Sequence, residues 1–408
     1  MSPQPSTRAV SLLVLVKVGS RQENGRNNGI AHFVEHLMFK GTPKRPNTLV
    51  ISQELDAIGA DYNAFTSKEK TGYYIKAESS NLPVIIDILA DMIQNSIFDP
   101  KEVERERGTI LEEINMYKDN PMAKIGDLFE EDLYGRGKPL GRHIIGTEEL
   151  IKSMKQSQLI GFWREHYHSG NIVIAVAGNI SNPKTIKLLE AAFGKIRKGK
   201  RNVISRAHGF SRGNLLNAHY KDTSQAHLIL GFPGIHADHK DRFALGLLSV
   251  ILGGNMSSRL FISVRERLGL CYFIRSDVDT LEDVGSFLIQ AGLDLTKLDK
   301  ALQAVSGELK DIKTNGATAE ELNKAKQFIK GKMALSQEDS LDVAQFYSSQ
   351  LLFKKKILTP EQVFAQVDKV TQKDIARVAR AILQPKKARL TTLSPFKSIQ
   401  KFGKFLDF

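Results

Sequence analysis

One order of predicted elements occurs twice along this 408-residue chain, and this repetition constrains the fold more than any other feature of the sequence. Each half opens with an apolar, β-branched run that predicts a buried strand, at residues 9–18 and 226–232. Each half also ends on such a strand, at residues 171–178 and 388–394, with helices and further strands between. The sequence therefore predicts two tandem copies of one α+β unit.

A basic segment that contains few apolar residues separates the two halves. It covers residues 196–212 and is rich in glycine, serine and positively charged side chains, a composition typical of a linker. We therefore predict an N-terminal, metal-binding domain at residues 1–195 and a C-terminal domain of similar fold, without the metal motif described below, at residues 213–408.

Composition limits the kinds of site and partner. Cys271 is the single cysteine, so no disulfide can form within the chain and a cysteine-based zinc site is ruled out. The net charge of +13 is spread along the chain, and the basic runs at residues 195–201 and 354–356 are more typical of solvated surface than of a nucleic-acid interface. No run reaches the ~18 apolar residues of a spanning helix, and the start lacks a signal-peptide pattern. We expect a cytoplasmic protein with no nucleic-acid and no membrane partner.

The segment GIAHFVEHLMF, residues 29–39, predicts a short amphipathic helix. His32 and His36 are four residues apart and share one face, and Glu35 lies beside that face. Two neutral imidazoles and a carboxylate suit a zinc ion and the water that it activates. This His-x-x-Glu-His order indicates a metal centre, although two histidines on one helix are otherwise ordinary, and a zinc site needs a third protein ligand.

A strongly acidic helix predicted at residues 101–117 offers candidates for that third ligand. Glu106 and Glu113 are seven residues apart and share a helix face, whereas Glu112 points about 100 degrees away. The alternative for each glutamate is a solvated surface charge. Spacing alone leaves the choice open.

Five ordered blocks, which span nearly the whole chain, resemble the pitrilysin-type zinc peptidases and in particular their bacterial, processing-peptidase-like members. This family includes pitrilysin, insulin-degrading enzyme and the mitochondrial processing peptidase. The resemblance implies two similar domains, each a mostly antiparallel sheet packed with helices, and a zinc metallopeptidase of the inverzincin type. In chain order the blocks are GIAHFVEHLMFKGT, YNAFTSKEKTGYY, ERERGTILEEINM, HYHSGNIVIAVAGNI and GGNMSSRLFISVRERLGLCY.

The resemblance also implies the ligand set. The family's third ligand is a glutamate 77 residues after the second histidine, which selects Glu113 in this chain. One Zn²⁺ per chain would then be held by His32, His36 and Glu113, with Glu106 supporting the site and Glu35 acting as general base.

Two further groups take their expected roles from the same resemblance. Asn63, Ala64 and Phe65 match an edge strand that binds peptide substrates by main-chain hydrogen bonds. Arg265 and Tyr272 match a pair that reaches the scissile carbonyl and the developing oxyanion. In the single-chain members this pair comes from the last quarter of a chain of double length. The resemblance therefore implies a dimer, in which each chain completes its partner's active site across a closed chamber.

The expected function is hydrolysis of peptides or extended segments by a homodimer, or by a heterodimer with a related subunit. The alternatives are a heterodimeric peptidase subunit that is inactive without its partner chain, and a non-catalytic, core-like subunit. Family members usually begin with a further strand, so either the start of this chain is truncated or its first sheet lacks an edge strand. The remaining histidines considered have no ligand spacing and are expected at loops or strand ends: His143, His166, His168 and His208.

Overall fold

The computed structural model describes residues 1–204, 206–207, 209–354 and 356–408. His208, expected in a loop or at a strand end, lies outside the described residues, as do one residue of the second basic run, Lys355, and one further residue of the predicted linker, Ser205. The chain forms two compact units, each assembled from three stretches of sequence. The first comprises Met1–Met116, Arg142–Ser205 and Ala334–Ile357, and the second comprises Tyr117–Gly141, Arg206–Met333 and Leu358–Phe408.

The strands of the described residues form two five-stranded sheets. They are β1 (Ser2–Pro3), β2 (Ala9–Val16), β3 (Asp61–Thr66), β4 (Thr71–Glu78), β5 (Ile172–Gly178), β6 (Leu216–Tyr220), β7 (Gln225–Pro233), β8 (Cys271–Thr280), β9 (Gly285–Asp294) and β10 (Arg389–Ser394). The first sheet has the order β1-β5-β2-β4-β3 and the second β6-β10-β7-β9-β8, so both follow one pattern. In each sheet the first pair in this order is parallel and the remaining pairs are antiparallel. The prediction of two similar α+β domains with mostly antiparallel sheets is confirmed.

The first sheet does have an outer strand beside β5. The strand β1 is two residues long and pairs in parallel with β5, with Ser2 opposite Ala177 and Pro3 opposite Gly178. Of the two alternatives given for the start of the chain, the one in which the first sheet lacks an edge strand is therefore wrong, because this short segment pairs with β5.

Both units contain several helices in addition to their sheet. Those of the described residues are α1 (Ile30–Leu37), α2 (Thr48–Asp56), α3 (Leu82–Asn95), α4 (Pro100–Asp119), α5 (Pro121–Tyr134), α6 (Glu148–Ser153), α7 (Gln156–His166), α8 (Asn182–Phe193), α9 (Arg242–Gly253), α10 (Leu298–Thr314), α11 (Ala319–Ser336), α12 (Ser340–Phe353), α13 (Pro360–Asp368) and α14 (Gln372–Ile382). A π-helical segment, Phe261–Arg267, precedes β8. Over the part of the chain that is described, no helix combines the length and the apolar character needed to cross a bilayer.

The central strand β2 explains the layering of the first unit. Its sequence, AVSLLVLV, is apolar at nearly every position, which is typical of a strand covered on both faces. Leu12 points into the large core that also contains the buried residues of α1, α3 and α7. Leu13 and Leu15 pack on the opposite face with Val343 and Leu352 of α12. The second face of this sheet is thus covered by a helix from the far end of the sequence.

Each compact unit contains one helix from the opposite half of the sequence. In the second unit, Ile125 and Phe129 of α5 pack with Ile229 of β7 and Leu393 of β10. In the first unit, α12 takes the corresponding position on β2 and β5. The two compact units therefore do not correspond to a simple division of the sequence at residues 196–212, because each contains one helix from the other half. The boundary at residues 196–212 stays a prediction about where the repeated sequence pattern divides.

The packing of α12 leads to a stability prediction. Leu352 is 2% exposed and lies in the cluster with Leu13 and Leu15, so Leu352→Ala removes buried apolar contacts and leaves a cavity. We expect a loss of about 2–5 kcal/mol in the free energy of unfolding, measured by urea titration followed by circular dichroism. Leu351, its neighbour, is 49% exposed, and Leu351→Ala is expected to change stability by no more than about 0.5 kcal/mol. Equal stability of the two variants would contradict this placement of α12.

Candidate metal centre

Helix α1 holds the two motif histidines on one side because its other side is buried. Ile30, Phe33 and Val34 are each at most 2% exposed and belong to the core of the first unit. The rings of His32 and His36 lie together on the remaining face, with centroids 4.6 Å apart and planes inclined by 69°. The predicted amphipathic helix and the shared face of the two histidines are both present.

Helix α4 brings a carboxylate to these rings. Oε2 of Glu113 lies 3.6 Å from Nε2 of His32 and 3.5 Å from Nε2 of His36. Glu113 lies on the side of α4 that also carries the buried Glu106, whereas Glu112 is exposed to solvent. Among the glutamates of α4 that spacing left open, Glu113 is thus the one whose carboxylate lies next to both imidazoles.

These three side chains fit a tetrahedral metal ion. Each offers one ligand atom, all three atoms lie within 4.8 Å of one another, and no other such group of His, Cys, Asp and Glu is found among the described residues. Ligands at about 2.1 Å from zinc are separated by about 3.4 Å along the edges of a tetrahedron, close to the distances of 3.6 and 3.5 Å from Glu113 to the two imidazoles. Two imidazole nitrogens and one carboxylate oxygen are also a donor set that zinc accepts with a fourth position open.

Burial keeps His32 ready to act as a ligand. Burial, together with the neighbouring His36, lowers the pKa of His32 to about 4, although Glu113 opposes the shift. The ring is therefore neutral at physiological pH, and neutral imidazole is the form that binds a metal.

Glu106 orients the ring of His36 by a hydrogen bond to Nδ1, the ring nitrogen that does not face Glu113. Its Oε2 lies 3.0 Å from Nδ1 of His36, and its Oε1 pairs with Nζ of Lys40 at 2.7 Å. With Nδ1 donating to Glu106, Nε2 is directed toward Glu113, as is common where a carboxylate fixes a metal-binding histidine. Burial alone would lower the pKa of His36, but the hydrogen bond with Glu106 and the nearby carboxylates of Glu113 and Glu35 raise it to about 9.

Glu35 lies on α1 next to His36 and is held by the edge strand. Its Oε2 accepts a hydrogen bond from Oγ1 of Thr66 at 2.5 Å, and the residue is 8% exposed. Burial raises the pKa of Glu35 to about 7, against the opposing effects of Thr66 and His36. A carboxylate with a pKa near neutrality can both accept and return a proton, as a general base requires.

The strand β3 is one of the two edge strands of the first sheet, and among the described residues it pairs with β4 alone. A cavity of about 270 Å³ next to it is lined by Glu35, His36, Tyr62, Asn63 and Ala64, among others. Two of the three expected substrate contacts, Asn63 and Ala64, therefore line a cavity that also reaches Glu35 and His36.

Phe65, the third expected contact, faces the other way. Its side chain packs with Leu13 and Leu15 under α12, and it does not line the cavity. A Cβ on Gly72 would lie 2.4 Å from its ring, so the absence of a side chain there makes room for Phe65.

Arg265 and Tyr272 lie together in the second unit. The Arg265 guanidinium is 4.7 Å from the ring centroid of Phe261 and 5.7 Å from that of Tyr272. Tyr272 is 77% exposed, at the irregularity of β8 between Cys271 and Phe273. A cationic donor and a phenol are thus adjacent and accessible to solvent.

His143, His166 and His168 lie outside the group formed by His32, His36 and Glu113. His166 and His168 are buried, with His166 Nδ1 2.9 Å from Nδ2 of Asn202 and His168 Nε2 3.2 Å from Nδ2 of Asn171. The carbonyl of His143 accepts a hydrogen bond from a side-chain amide. His166 ends α7, whereas His143 and His168 lie in loops, and none of the three belongs to the metal group.

Sequence reasoning missed two side chains that hold the site. Thr66 shares a face of β3 with Ala64, so the two-residue period of a strand could have indicated it. Lys40 stands four residues after His36 and could have been found from helical spacing, but its link to Glu106 depends on how α1 and α4 pack.

Comparison with known proteins agrees with this geometry. Residues 1–148 match the family model of insulinase, peptidase family M16, and residues 153–329 match the model of the peptidase M16 inactive domain. An uncharacterized zinc protease of Streptomyces coelicolor is 35% identical over 97% of this chain and 87% of its own length. An uncharacterized zinc protease of Bacillus subtilis is 36% identical over 96% of this chain and 94% of its own.

The chain belongs to peptidase family M16. The resemblance to the pitrilysin-type peptidases is thereby confirmed. The M16 fold is also seen in a Helicobacter pylori protease, with a TM-score of 0.89 at 24% identity over 97% of this chain and 96% of that one. Complex III2 from Candida albicans contains a chain with a TM-score of 0.83 at 16% identity, covering 99% of this M16 chain and 96% of that chain.

The electrostatics of this M16 site predict proton release on metal binding. With a pKa of about 9, His36 is largely protonated in the metal-free protein at about pH 8 and must lose a proton to become a ligand. Glu106→Gln removes the hydrogen-bonded carboxylate that raises this pKa, so the variant should release fewer protons per zinc bound. The measurement is calorimetric titration of metal-free protein with zinc in buffers of different ionisation enthalpy. Release of equal numbers of protons by the two proteins would contradict this account of His36.

Proposed function

We propose that this chain is a zinc-dependent metallopeptidase that holds one Zn²⁺ through His32, His36 and Glu113 and hydrolyses peptide bonds. The observation that carries the proposal is the convergence of two imidazoles of α1 and one carboxylate of α4 within 4.8 Å. Such a ligand set with an open position is typical of catalytic rather than structural zinc. The zinc protease names of the M16 relatives support the same metal and the same class of reaction.

Glu35 is proposed to be the general base. Bound zinc would supply a Lewis acid that polarises the scissile carbonyl and lowers the pKa of water to about 7. Glu35 accepts the proton of the attacking water and then delivers it to the departing amine. Thr66, which donates to Oε2 of Glu35, leaves Oε1 as the oxygen that handles this proton.

The free edge of β3 is proposed to bind the substrate. An extended peptide could add to this edge by main-chain hydrogen bonds, which recognise an extended conformation rather than a particular sequence. The cavity beside Asn63 and Ala64 would then receive a substrate side chain next to the metal ligands. Peptides and unfolded segments are therefore the expected substrate class.

Arg265 and Tyr272 are proposed to stabilise the oxyanion in a dimeric chamber, each chain completing its partner's site. A guanidinium and a phenol are suitable donors for developing negative charge, and both are accessible. A heterodimer with a related subunit is the second form of this proposal. A non-catalytic, core-like role is the alternative, and the intact metal motif argues against it.

The assignment of Glu35 predicts a separation of metal binding from catalysis. Glu35→Gln keeps the shape of the side chain and its acceptor for Thr66 but cannot take up a proton. Cleavage of a quenched peptide should fall by at least about 100-fold while zinc content stays near one per chain. Glu112→Gln, on the exposed side of α4, is the matched control and should retain full activity. Normal cleavage by Glu35→Gln would refute this role.

The shared-site arrangement predicts complementation between two inactive proteins. In a heterodimer of Glu35→Gln and Arg265→Ala, one active site carries both substitutions and the other carries none. Mixing the two inactive proteins under conditions that exchange subunits should restore about a quarter of the wild-type activity, because half of the dimers then hold one intact site of two. Persistent inactivity, with subunit exchange verified by mass spectrometry, would exclude Arg265 from a site shared between chains.

A further inference from the structure

The first turn of α1 has no capping side chain of its own. Its N-cap residue is Gly29, with φ of 96°, and a Cβ there would lie 2.7 Å from the carbonyl oxygen of Ile145 and 2.9 Å from Cδ1 of Ile151. This crowding excludes serine, threonine, asparagine and aspartate, the residues that usually cap a helix. The N–H groups that begin α1 must therefore find acceptors elsewhere.

Glu23, in the loop before α1, provides those acceptors. Its Oε1 accepts a hydrogen bond from the N–H of Ala31 at 2.9 Å, and its Oε2 accepts one from the N–H of Gly29 at 2.9 Å. Oε2 also accepts a hydrogen bond from Nδ2 of Asn28 at 2.7 Å. The residue is only 4% exposed. Burial raises the pKa of Glu23 to about 7, although the hydrogen bonds from Asn28, Ala31 and Gly29 act to lower it.

The loop that carries Glu23 is itself fastened. Nη2 of Arg142 donates to the backbone carbonyl of Glu23 at 2.5 Å, and Nδ2 of Asn28 donates a second hydrogen bond to the carbonyl of His143 at 2.8 Å. The backbone of Glu23 is therefore held by Arg142, while its carboxylate binds the first turn of α1. A group fixed in this way determines where the helix begins instead of adapting to it.

We propose that Glu23 is a positioning residue for the metal centre. By capping α1 from outside the helix, it fixes where α1 begins, and with it the axial position and the rotation at which His32 and His36 face Glu113. His32 directly follows Ala31, whose N–H Glu23 binds. A slip of one residue would shift the helix by about 1.5 Å and turn it by about 100 degrees. Metal–ligand distances tolerate only about 0.2 Å. This inference rests on the proposed zinc site.

A purely structural role of Glu23 makes a different prediction, and Asp91 allows the two to be separated. Asp91 is also a buried carboxylate of the first unit, 8% exposed, which accepts hydrogen bonds from Thr42 at 2.5 Å and from Arg45 at 3.0 Å. Both of these partners lie after the end of α1. Asp91→Asn should therefore lower stability without moving the start of that helix.

The experiment compares zinc affinity among the wild type, Glu23→Gln and Asp91→Asn. Zinc dissociation constants are measured by competition with a chromophoric chelator, far below the midpoint of thermal unfolding of each protein. The side-chain amide of Glu23→Gln has one oxygen and one NH₂ group. The NH₂ group cannot accept a hydrogen bond, so the N–H of either Gly29 or Ala31 loses its acceptor. We expect zinc affinity to fall about tenfold or more in Glu23→Gln and to stay at the wild-type value in Asp91→Asn.

The outcomes are distinguishable. If the wild type binds zinc and Glu23→Gln binds it equally well, Glu23 does not position the site and this inference alone is overturned. If the wild type itself binds no zinc, the proposed function fails, and the inference fails with it. If Glu23→Gln does not fold, Glu23→Asp replaces it: this variant keeps the charge but shortens the reach to Gly29 and Ala31. Weakened zinc binding in Glu23→Asp supports the inference, and wild-type affinity overturns it.

Discussion

The metal centre depends on the burial of one side of α1. Phe33, Val34 and Leu37 are completely buried, and each such side chain contributes about 1.5–3 kcal/mol when it leaves water. This burial holds one side of α1 against the core and stabilises an eight-residue helix that would be marginal on its own. The rings of His32 and His36 are consequently presented on one face, and the packing of α4 across that face supplies Glu113.

Charge balance follows from the same packing. Glu35, Glu106 and Glu113 would repel one another in a small volume if each lacked a partner. Glu106 is neutralised by Lys40 and His36, and although burial acts to raise the pKa of Glu106, those hydrogen bonds lower it. Glu113 behaves similarly, since burial acts to raise its pKa and the two histidines lower it. What remains is a negatively charged site with two imidazoles, to which a divalent cation is complementary.

The sequence predicts those parts of the molecule in which local pattern and final environment agree. The helix from Ile30 and the pairing of β3 with β4 follow from helical and strand periods read directly along the chain. The choice of Glu113 over Glu106 came from the family resemblance, because helical spacing treats the two alike. Phe65 is expected beside the substrate from the same resemblance, but its side chain packs with Leu13 and Leu15 instead.

The parts that could not be predicted depend on long-range packing. Helix α12, whose sequence mixes serine and glutamine with apolar residues, covers β2 from more than half the chain away, and no local signal indicates it. The role of Glu23 is equally hidden, because it follows from a steric conflict at Gly29 with residues of a distant loop. Such features depend on which surfaces meet, a property that no short stretch of sequence contains.

The most direct test of the account is the anomalous diffraction of zinc, measured at its absorption edge, in crystals of the zinc-loaded wild-type protein. The account predicts one anomalous peak per chain within bonding distance, about 2.0–2.2 Å, of Nε2 of His32, Nε2 of His36 and a carboxylate oxygen of Glu113. A peak elsewhere, or a zinc bound to the histidines with Glu113 turned away, would contradict it.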